Sequence, residues 1–182
     1  AVSAAGGRLG AAGAGAEGER APREGRILAL CSGPGGIPKF PLERAEVQEL
    51  GIVGDKHRFR LHGGRDRALC LLSIEEVRSL ERDGVPVAGP GTFGENVLTE
   101  GLDFRRLAPG DRLALGDPES PVLIELHDVR EPCRTLCSLD KRFPDLMLGR
   151  SGFVARVLRP GLLVPGQPIR WLGPPARSES GA

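Results

Sequence analysis

The sequence predicts a mostly β protein, an antiparallel-rich β-barrel with a few short helices. From Arg26 onward, short strand-like runs alternate with turn signals. Gly and Pro together number 43 and gather between those runs, where barrel corners would fall. One segment alone, Ile74–Asp83, carries a complete helix signature.

In chain order, residues 1–25 are low-complexity Ala, Gly, Glu and Arg with almost nothing to bury, which predicts a disordered tail. That tail lacks the apolar centre of a secretory signal, and Glu17, Glu19 and Glu24 do not suit a transit peptide. Strands are expected at Arg26–Cys31, Ala45–Leu50, Ala68–Leu72, Asn96–Thr99, Asp111–Leu115, Val122–Leu126, Phe153–Leu158 and Pro168–Trp171. The helix begins with Ser73 and Glu76 in the S-x-x-E order of a capping box. Ile74, Val77 and Leu80 give it a narrow apolar stripe, and Gly84 ends it. Such a helix should plug one barrel end or cover an edge. Leu107-Ala108-Pro109-Gly110-Asp111 is echoed by Leu163-Val164-Pro165-Gly166-Gln167, so one Pro-Gly corner of type II geometry should occur twice. After Val122–Leu126, Pro132 suits the first position of a short helix. That would place Cys133 one residue inside the helix and Cys137 a turn further on the same face. Residues 142–150 fit neither element, and 174–182 read as a flexible tail.

Composition excludes several functions. The chain's 182 residues suit one domain. A formal charge of +1 gives no global field toward nucleic acid or membrane. No run approaches the roughly 20 apolar residues of a membrane span. Tyr is absent and aromatics are 4%, too few for a platform that stacks single-stranded bases. Four cysteines without regular spacing point to a reducing compartment, the cytoplasm, rather than to a disulfide framework. The lysines are Lys39, Lys56 and Lys141, and every other basic residue is Arg. Arg forks grip phosphate and carboxylate, although GC-rich codon usage gives the same bias.

Cys133 is the foremost candidate for chemistry. A helix start and the flanking Arg130 and Arg134 would favour its thiolate, the form that acts as nucleophile or soft-metal ligand. The competing reading is plain packing, because free cysteine is among the most buried residue types. Cys31 and Cys70 lie in apolar runs and read as core; Cys137 reads as packed, or as a resolving thiol. Gly33-Pro34-Gly35-Gly36 lacks G-x-G-x-x-G spacing, and Pro38 and Pro41 forbid the helix a dinucleotide fold needs. What remains is a loop that approaches a ligand, with Lys39 as a point charge for phosphate, or an ordinary connection. Gly51–His57 and His62–Ala68 crowd Gly with Asp, His and Arg, either as donors for an anion or as a solvated hairpin. In Phe93-Gly94-Glu95-Asn96, the Asn amide matches a heterocycle edge or caps its own turn. His57, His62, His127, Cys133 and Cys137 lack C-x-x-C spacing, which argues against structural zinc.

In order, Gly54-Asp55-Lys56-His57, His62-Gly63-Gly64-Arg65-Asp66-Arg67-Ala68, Phe93-Gly94-Glu95-Asn96, Arg130-Glu131-Pro132-Cys133 and Gly152-Phe153-Val154-Ala155-Arg156-Val157-Leu158 resemble the MOSC domain family, nearest its stand-alone bacterial YiiM-like branch. The resemblance covers residues 26–173, with Arg65 standing where close relatives often have Pro. It implies a MOSC-like β-barrel that binds the molybdenum cofactor, molybdopterin. It places the metal-ligating, catalytic cysteine at Cys133 and cofactor contacts at Lys39, His57, His62, Arg67, Asn96, Arg130 and Arg156. The activity implied is that of an oxidoreductase reducing small N-hydroxylated substrates with electrons from a separate donor. The alternative is a sulfur carrier whose Cys133 takes persulfide from a cysteine desulfurase. Neither reading involves nucleic acid or a membrane.

Overall fold

A computed structural model describes residues 23–58 and 62–175. The tail expected at 1–25 lies outside the described residues up to position 22, and that at 174–182 does so from 176. The chain forms β1 (Glu24–Ser32), β2 (Phe40–Leu42), β3 (Ala45–Gln48), β4 (Gly51–Ile52), β5 (Leu69–Ser73), α1 (Ile74–Arg82), β6 (Val97–Glu100), β7 (Arg112–Leu115), β8 (Val122–Val129), β9 (Phe153–Arg159), β10 (Gly161–Leu163) and β11 (Pro168–Gly173). Every strand expected from the sequence is present. The sequence reading missed β2, β4 and β10, which are two or three residues long. Runs that short show no alternation to read.

The strands follow the order β11-β7-β8-β9-β5-β6-β1, and β1 pairs back to β11, closing the barrel. β2 hangs on β1 outside the ring, while β10, β3 and β4 make a separate small sheet. Neighbours in the ring run antiparallel except β5 and β6, which are parallel. A parallel pair needs a crossover, and α1 lies in it.

Strand alternation sorts the side chains into two apolar layers. Ile27, Leu30, Leu71, Val97, Ile124, Leu126, Phe153 and Ile169 share one cluster and fill the bore. Their neighbours Ala29, Cys31, Leu72 and Leu98 belong to a second cluster with Val77 and Leu80 of α1, Phe93, Phe143 and Met147. A fully buried Leu or Ile in either layer contributes roughly 1.5–3 kcal/mol. α1 therefore covers the outer wall formed by β1, β5 and β6 and does not plug an end. It is capped as the sequence predicts, with Ser73 Oγ accepting from Glu76 N at 3.2 Å.

The repeated Pro-Gly corner is real. Gly110 and Gly166 have φ of 94° and 91°, a region glycine alone enters freely. Each closes a four-residue turn, Asp111 N to Ala108 O at 3.0 Å and Gln167 N to Val164 O at 3.3 Å. No helix among the described residues is long and apolar enough to cross a membrane.

Candidate functional site

A cavity of about 110 Å³ lies outside the bore, against the outer surface of β5 and β9. Cys70 and Val154 are cross-strand partners on its floor. Leu69, Leu71, Phe153 and Ala155 point into the bore, so period-two alternation turns Cys70 and Val154 outward. Loops from four parts of the chain raise the walls. The loop after β1 brings Lys39, and residues 56–58 and 62–67 bring Lys56, His57, His62 and Arg67. Asn96 precedes β6, and the segment after β8 supplies Arg130, Cys133 and Thr135.

Cys133 reaches the cavity by a different local structure from the one expected. It is the N-cap of a 3-10 helix, Arg134–Ser138, with extended backbone at φ −83° and ψ 142°. Pro132 thus precedes the helix and does not open it. The sulfur itself caps, accepting from Thr135 N at 3.4 Å and lying 3.0 Å from Thr135 Oγ1. A 3-10 helix has three residues per turn, so Cys137 leaves the face of Cys133. Cys137 is exposed, not packed, and donates to Phe143 O at 3.1 Å. Cys31 is buried core, and burial pushes its thiol up to about 12. Cys70 departs from the core reading: it is half-buried and lines the cavity, with its thiol raised chiefly by desolvation.

One carboxylate ties three walls together. Asp55 Oδ1 accepts from Gly33 N at 2.9 Å. Its Oδ2 accepts from Lys39 Nζ at 2.5 Å and from Asn96 Nδ2 at 2.9 Å, with His57 Nε2 3.9 Å away. Lys39 and Asp55 are a buried pair, 6% and 3% exposed. Asn96 also donates to Cys31 O at 3.2 Å and accepts from Cys70 N at 3.1 Å. Its amide is thus engaged within the protein as a clamp between strands.

Arg130 is buried and donates through Nη2 to Phe93 O. The loop bearing that carbonyl is held by Glu95, which accepts from Gly91 N at 2.6 Å and Phe93 N at 3.2 Å. Desolvation raises the Glu95 carboxyl. Arg130 Nη1 and Arg67 Nε are buried without a hydrogen-bond partner. Burial lowers both His57 and His62, with Lys39 adding to the effect at His57 and Arg67 at His62. Both imidazoles are therefore neutral at pH 7. Gly63 lets the His57 ring approach the loop closely: a Cβ there would stand 2.9 Å from His57 Nδ1.

Lys39, His57, His62, Arg67, Asn96, Arg130 and Cys133 thus meet at one cavity. Arg156 does not line it. It lies two residues beyond Val154 on the same face of β9, about 7 Å along the strand. Its Nε is held by Asp66 Oδ1 at 2.6 Å, with Glu125 3.7 Å from Nη1. The sequence reading missed Asp55, Glu95 and Cys70 as parts of the site. Asp55 and Glu95 stand inside the quoted motifs, but their partners are set by tertiary structure.

Residues 58–170 match the MOSC domain. The chain belongs to the MOSC domain family. It is 31% identical over 156 residues to Protein YiiM of Escherichia coli, covering 80% of this chain and 67% of that one. A protein named Reductase from Gibberella moniliformis is 31% identical over 133 residues, 69% of this chain. This MOSC chain spans 23% of that protein's length. The crystal structure of YiiM from Geobacillus stearothermophilus superposes with a TM-score of 0.65 at 28% identity, over 81% of this chain and 75% of that one. MOSC domains are associated with molybdenum-cofactor binding, and the donor set here suits such a group. It combines the sulfurs of Cys133 and Cys70 with cationic and neutral nitrogen donors, two of those nitrogens buried and unpartnered. Among the described residues no three His, Cys, Asp or Glu side chains converge as a metal cage. A metal at Cys133 would therefore bring its remaining ligands with it.

Proposed function

We propose that this MOSC domain binds molybdopterin through Cys133 and acts as a cytoplasmic oxidoreductase on small N-hydroxylated substrates. The observation that supports the reading is the placement of the Cys133 thiol at the same cavity as two unpartnered donors, Arg130 Nη1 from its own segment and Arg67 Nε from another wall. A buried donor left unmade costs about 1–3 kcal/mol, so these atoms suit anionic oxygens that arrive with a ligand. When bound, the cofactor supplies the two-electron redox chemistry. Cys133 ligates the metal as thiolate. Arg67 and Arg130 hold the anionic group. His57 and His62, both neutral at pH 7, provide imidazole nitrogens able to hold or pass a proton at the cavity wall. Reduction of an N–OH group consumes two electrons and two protons and releases water, so a separate electron-donor protein is part of the proposal.

The test is metal analysis of protein purified from a host that makes the cofactor. Wild type should carry molybdenum and Cys133→Ser should lose it; equal metal in both defeats the ligand assignment. Incubation with a cysteine desulfurase provides the other arm. A persulfide on Cys133 in a protein that never holds molybdenum would assign it to sulfur carriage instead.

A further inference from the structure

The geometry points to Asp55 as a positioning residue: its buried carboxylate cancels the charge of Lys39 and fixes the Asn96 amide, leaving anion binding to the arginine wall. Asp55 does not itself line the cavity, whereas Lys39, Asn96 and His57 do. It acts through them. Its side chain is 3% exposed and accepts from Gly33 N, Lys39 Nζ and Asn96 Nδ2 at 2.9, 2.5 and 2.9 Å. Gly33 and Lys39 belong to the loop after β1 and Asn96 to the segment before β6, so with its own segment Asp55 ties three stretches of chain together. The Lys39 ammonium, 6% exposed, has its counter-charge in direct contact. A lysine so paired presents little net field to a ligand. Arg130, in contrast, is buried with Nη1 unpartnered and spends Nη2 on the neutral Phe93 carbonyl. The inference rests on the proposed cofactor reading only for the identity of the anion.

The experiment uses the full cofactor-free chain and inorganic phosphate as the probe, followed by calorimetry. If Asp55 cancels Lys39, the charge-neutral double variant Lys39→Met/Asp55→Asn binds phosphate within about twofold of wild type. Asp55→Asn alone, which leaves a bare cation on the wall, binds about tenfold tighter, the order of effect of one uncancelled charge in a partly screened site. A double variant weakened tenfold would make Lys39 a direct anion contact and overturn the assignment, as would an Asp55→Asn that binds no tighter than wild type. Should Asp55→Asn fail to fold, the double variant decides alone.

A second readout needs no anion. Lys39, Asp55, His62 and Arg67 all act on the His57 imidazole, and among them only Asp55 raises its pKa. An NMR titration should show the His57 pKa fall in Asp55→Asn and return toward wild type in the double variant. A His57 pKa that stays fixed in Asp55→Asn overturns the role of Asp55. Absence of phosphate binding in wild type counts against the cofactor reading and leaves this titration to judge Asp55.

Discussion

Removal of the Asn96 amide should destabilise the protein by about 4 kcal/mol. Asn96 is 1% exposed. Its side chain accepts from Cys70 N at 3.1 Å and donates to Cys31 O at 3.2 Å and Asp55 Oδ2 at 2.9 Å. Asn96→Ala breaks all three. Two neutral bonds at about 1 kcal/mol each and one to a buried carboxylate at about 2 kcal/mol give that total. The sum is a large share of the roughly 5–15 kcal/mol that holds a domain folded. Asn96→Asp provides the electrostatic half of the argument. It keeps the shape and the bond from Cys70 N but sets a second carboxylate against Asp55. The new carboxyl then titrates higher in the folded than in the unfolded state. Its variant should be most stable below the unfolded carboxyl pKa and lose stability as pH rises through the folded value. Urea denaturation of the cofactor-free protein at pH 5 and pH 8 measures both. A loss under about 1 kcal/mol in Asn96→Ala, at unchanged slope, would refute the clamp; an Asn96→Asp whose stability falls no more between pH 5 and pH 8 than that of wild type would refute its contact with Asp55.

Glu76, near the start of α1, has its carboxyl pushed up to about 7, first by burial and then by Glu75, and its Oε2 has no hydrogen-bond partner. The raised value means that its contribution is full below pH 4.5 and is lost as pH rises through about 7. Glu76→Gln should flatten that decline, seen as a smaller drop in melting temperature between pH 5 and pH 8; an unchanged pH profile would remove Glu76 as its source. The four thiols should also separate by access. Iodoacetamide at pH 8 should label Cys137 and Cys133 in the native protein, Cys70 more slowly because its raised thiol is seldom ionised, and Cys31 chiefly after unfolding, by peptide mass mapping. Native labelling of Cys31 as fast as Cys137 would contradict its burial.

The α1 signature survived from sequence to structure because each of its parts is local. Ser73 and Glu76 are three residues apart, Val77 and Leu80 lie on one face, and Gly84 ends the turn with φ 82°. The longer strands were legible for the same reason, as was the Pro-Gly corner used at Gly110 and Gly166. Cys133 shows where local reading stops. Pro132 is compatible with a helix start, but the sulfur takes the capping place on Thr135 N, which shifts the start by two residues. Arg156 depends on a distance no sequence shows: it shares the outer face of β9 with Val154 but stands outside the cavity lining, with Asp66 as its partner.

Short-range patterns of turns, caps and alternation encode strands directly, so the sequence was enough to predict a β-barrel, and the order of its motifs was enough to show a resemblance to the MOSC family and to nominate Cys133. What folding alone decided is which polar groups remain available. Lys39 and Asn96 sit at the cavity but are engaged by Asp55, residues 16 and 41 positions away, while Arg130 Nη1 and Arg67 Nε are left without partners. Hydrogen-bond capacity is a property of neighbours in space, and those neighbours come from loops that only the closed barrel brings together.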